Sequence, residues 1–140
     1  MDNVFIKNGV YLGVSKILIF LMDKFFYPRY SVSVFVALIE LILLLYFMYK
    51  SIEDIKSSNY GNVSFDEGFK TSWLTAAVGI TMYDFFVRSI YAMFKKMDIL
   101  EFFYGIFRTL IMMPGNFIQC AIIAGLISYV MKKEGTRFKL

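Results

Sequence analysis

Apolar residues in this chain gather into four long runs separated by short polar stretches, instead of alternating with the two-residue period of a half-buried strand. The runs fall at 4–22, 31–49, 71–94 and 109–131. Each approaches the ~20 residues a helix needs to cross about 30 Å of hydrocarbon. The pattern predicts an all-α, polytopic membrane protein: one domain over residues 1–140, with four transmembrane helices in two antiparallel hairpins.

Three of the runs carry charge: Lys16 in the first, Glu40 in the second, Asp84 and Arg88 in the third. One charge does not prevent insertion. The second run has twelve Leu, Ile, Val and Phe residues, each favouring insertion by about 0.3–0.6 kcal/mol, against about 2.5–3.5 kcal/mol for a central acidic group. Lys16 interrupts the first run and no small-residue cleavage site precedes Tyr30, so this run reads as a retained anchor and not a removed signal.

The punctuation between runs is readable. Pro28 marks the first turn, residues 50–62 form a polar connection, and Tyr60-Gly61 signals a turn. Ser64 and Glu67 make a capping box, which starts the third helix at Phe65. Residues 99–113 have helical apolar spacing, and the preferred reading is one long fourth helix kinked at Pro114 and Gly115. An interfacial helix over 99–113 is the alternative. Tyr27, Tyr30, Tyr46, Tyr49 and Tyr104 sit near the ends of the proposed spans, as in an aromatic belt.

Composition supports the same class. Hydrophobic residues make up 59% of the 140, against about 45–50% in soluble proteins on a closely similar set. So small a soluble body buries only ~60–70% of its unfolded surface and cannot hide that excess. The net charge of +4 is modest, and the bases flank apolar runs, which gives no face for nucleic acid. Eight bases (Lys7, Lys50, Lys56, Lys70, Lys132, Lys133, Arg137, Lys139) share the side of the termini, against five (Lys24, Arg29, Lys95, Lys96, Arg108) opposite. Both termini are therefore expected to be cytoplasmic.

The chain has no His and one Cys, Cys120. A zinc site, a Ser-His-Asp triad and an internal disulfide lack their parts, so no metal, cofactor or catalytic residue is expected. Cys120, in an apolar run, is expected to be buried and inert.

Intramembrane charges are functional candidates by default. Lys16 lies as far before Pro28 as Glu40 lies after it, so an antiparallel hairpin brings them to matching depth and allows a salt bridge. Asp84 and Arg88, four apart, share a helix face and can pair locally. Thr81, Tyr91 and Lys95 extend that polar stripe toward the bundle or a partner subunit. Besides pairing, Arg88 suits a lipid phosphate or a partner carboxylate, and Glu40 a proton. Small residues mark close helix approach at Gly9 and Gly13, at Thr75 and Gly79, and at Ala121, Gly125 and Ser128. Asn116 and Gln119 are expected to hydrogen-bond between helices.

The segment VSFDEGFKTSW at 63–73 and the ending GLISYVMKKEG at 125–135 resemble a family of small, uncharacterised four-helix inner-membrane proteins of Bacteroidetes. That family enters its third helix with an SF-x-x-x-FK motif, matched by Ser64, Phe65, Phe69 and Lys70. The connection between the third and fourth runs is more compact than the family pattern. The resemblance implies a multi-pass protein of the bacterial inner membrane and the company of enzymes that glycosylate polyprenyl phosphate.

These readings favour a non-enzymatic accessory or scaffold subunit. Its partners are the lipid bilayer and another integral membrane protein or a second copy of the chain. The competing reading is a small proton-coupled oligomeric transporter using Glu40. A paired carboxylate takes up a proton poorly near neutrality, which counts against it.

Overall fold

In a computed structural model describing residues 2–26, 34–95 and 117–131, the apolar runs fold as helices. Four are present among the described residues: α1 (Asp2–Phe26), α2 (Val34–Ser58), α3 (Phe65–Lys95) and α4 (Phe117–Met131). Those residues contain no strand, so the all-α class holds. Lengths differ from the expected runs. α1 and α2 are long and apolar enough to cross a membrane; α4, as described, is shorter, and α3 is long but diluted with polar residues.

The largest difference lies after Tyr49. Residues 50–62 read as a polar connection, yet α2 continues to Ser58. Ile52 and Ile55 prolong the buried face of Met48 at helical spacing. Lys50 pairs with Glu53 at 2.8 Å and with Asp54 at 3.5 Å across single turns, supporting the exposed side. The helix then ends with the Gly61 amide donating to the Lys56 carbonyl at 2.8 Å, and with Tyr60 and Gly61 at φ +53° and +83°. α3 begins at Phe65 behind a reciprocal cap. The Glu67 amide donates to Ser64 Oγ at 3.2 Å, and the Ser64 amide donates to Glu67 Oε2 at 3.1 Å.

Contacts at both ends of each pair fix the helix directions. Asn8 meets Asp54 while Lys16 meets Glu40, so α1 and α2 are antiparallel. Gly68 meets Ser128 while Trp73 meets Phe117, so α3 and α4 are antiparallel too. α1 runs parallel to α3, and this non-sequential pair has the most extensive interface among the first three helices.

Glycine explains that preference. A Cβ on Gly9 would stand 2.7 Å from Val78 Cβ, and one on Gly79 would stand 2.6 Å from Leu12 Cδ2. The Gly9/Gly13 face of α1 and the Thr75/Gly79 face of α3 thus lie against each other at backbone distance. On the other side of α3, Met48, Ala76, Ile80, Cys120 and Ala124 form an apolar core joining α2, α3 and α4. Buried hydroxyls at Ser51, Ser72 and Thr75 donate to carbonyls three or four residues earlier, at 2.8 Å each.

The fourth helix meets expectation at Ser128, which is buried close to Gly68, and departs from it at Ala121 and Gly125. Among the described residues no heavy atom lies within 4 Å of where a Cβ on Gly125 would stand, so it marks no close approach there. Cys120 and Ala124, one position earlier, are buried instead, with Met131 beyond Ser128. Both rows have four-residue spacing, and the core takes the row whose neighbours Ile123 and Ile127 also pack against it. Gln119, expected to bond between helices, is exposed. Pro28, Tyr27, Tyr30, Tyr104, residues 99–113, Asn116 and the kink residues Pro114 and Gly115 lie outside the described residues, as do the side chains of Tyr91 and Lys95.

Candidate functional site

Polar groups inside a helical bundle persist only with partners, because an unpaired charge in low dielectric is costly. The described interior has two such zones, separated by an apolar layer.

The first zone gathers on Lys16. Its Nζ lies 3.3 Å from Glu40 Oε2 on α2, with side-chain exposures of 13% and 19%. The same ammonium stands 4.6 Å from the centre of the Tyr83 ring on α3. Asp84, the next residue on α3, is half-buried. Lys16 thus ties α1 to both other helices.

The local pairing of Asp84 with Arg88 is not formed. Among the described residues no ion pair within 4.0 Å joins them, although their spacing permits one. Arg88 is half-buried, Thr81 is exposed and Phe85 is 63% exposed, so the polar stripe and the apolar side of this half of α3 are both only partly covered.

Sequence reasoning missed the extension of this zone along α1. Phe20 meets Tyr83 edge-to-face at 6.2 Å, Lys24 Nζ lies 5.9 Å from the Phe20 ring, and the buried Asp23 stands 3.8 Å from Lys24. Phe20 and Lys24 follow Lys16 at four-residue spacing, which was the available signal.

The second zone lies at the other end of the α1–α2 pair. Buried Asn8 donates from Nδ2 to Asp54 Oδ2 at 3.0 Å, and Asp54 also receives Lys50. Nearby, exposed Lys70 pairs with Asp66 at 2.7 Å, and that hydrogen bond holds its ammonium above the usual lysine range. Cys120 is buried. Among the described residues no cluster of three His, Cys, Asp or Glu side chains is placed to hold a metal ion.

The chemistry available at Lys16 is therefore ion pairing, hydrogen bonding and proton exchange. Comparison with known proteins found no matching family model, curated relative or solved structure.

Proposed function

We propose that this chain is a multi-pass protein of a bacterial inner membrane, with four transmembrane helices and both termini cytoplasmic. Its role is that of a non-enzymatic accessory subunit packing against another integral membrane protein. The observation that supports this reading most is where the apolar side chains lie. Only 17% of the most apolar window of α2 is buried within the bundle, whereas a core helix of a soluble protein is mostly buried. Val34, Phe35, Leu38, Ile42 and Leu45 on α2 are exposed, as are Leu18 and Met22 on α1 and Ile122 and Leu126 on α4. Surface of that extent needs lipid or another membrane protein over it.

A partner enzyme acting on polyprenyl phosphate is the class suggested by the VSFDEGFKTSW and GLISYVMKKEG segments. The transporter reading has less support, because Glu40 already faces Lys16 at 3.3 Å. Purification of the tagged chain from native membranes in mild detergent tests the subunit role. A second polypeptide in fixed ratio is expected, and a monodisperse species containing this chain alone overturns it.

A further inference from the structure

We draw no further inference here: the strongest candidate, the exposed apolar face of α4 that Ile118, Ile122, Leu126 and Tyr129 form around Gly125, carries nothing, because nothing in the structure shows what covers it.

Discussion

At Gly79 a single hydrogen atom decides whether α1 and α3 can meet. A methyl group there would stand 2.6, 2.7 and 2.9 Å from three carbons of Leu12, itself fully buried with little room to retreat. Gly79→Ala should gain about 0.5–1 kcal/mol of helix propensity and lose about 1–3 kcal/mol to overpacking, so its thermal midpoint in detergent should fall. Gly125→Ala gains the same propensity and meets nothing within 4 Å among the described residues, so its midpoint should rise. A different constraint holds Gly61, whose surroundings are open but whose φ is +83°. Gly61→Ala should cost about 1 kcal/mol through backbone strain alone. Tyr60→Gly should change the midpoint in the opposite direction, since Tyr60 has φ +53° and is exposed throughout.

What the sequence disclosed about the helices depended on how local the signal was. The cap of α3 was readable, because Ser64 and Glu67 satisfy each other's amides within one turn. The end of α2 was not, because Lys50, Glu53 and Asp54 look like a loop until their pairing across single turns is seen beside the buried Ile52 and Ile55. The buried face of α4 was ambiguous in principle: Ala121/Gly125 and Cys120/Ala124 have the same spacing and both lead to the buried Ser128, and only packing in the core selects Cys120 and Ala124. Equal distance from Pro28 pointed to Lys16 beside Glu40, whereas the four-residue spacing of Asp84 and Arg88 pointed to a pairing within α3 that is not formed. The Lys16–Glu40 contact joins α1 to α2, and removing one partner strands a charge. Lys16→Met or Glu40→Met alone should therefore destabilise by about 3 kcal/mol. The double substitution should restore most of that loss, because two apolar side chains carry no desolvation penalty. A double-mutant cycle of detergent melts reads the coupling; additive losses would show that the 3.3 Å contact contributes nothing.

For the molecule as a whole, the distribution of charge bears on its proposed place in a bilayer. Lys7, Lys50, Lys56 and Lys70 sit where α1 begins, α2 ends and α3 begins, which is one end of the bundle. Beyond that collar, the outer faces of α1, α2 and α4 are apolar. Each exposed leucine, isoleucine, valine, methionine or phenylalanine forgoes a large part of the about 1.5–3 kcal/mol that full burial would supply. Roughly twenty such side chains outweigh the ~5–15 kcal/mol net stability of an ordinary soluble domain. A water-exposed monomer would therefore lower its free energy by aggregating, while a bilayer removes the cost without rearranging the core. Membranes washed with alkaline carbonate, which strips peripheral proteins, should retain the chain, and non-ionic detergent should release it with its helix content intact. Release by carbonate as a folded, monodisperse species would mean that some other surface shields these faces, and the bilayer argument would fail at its first step.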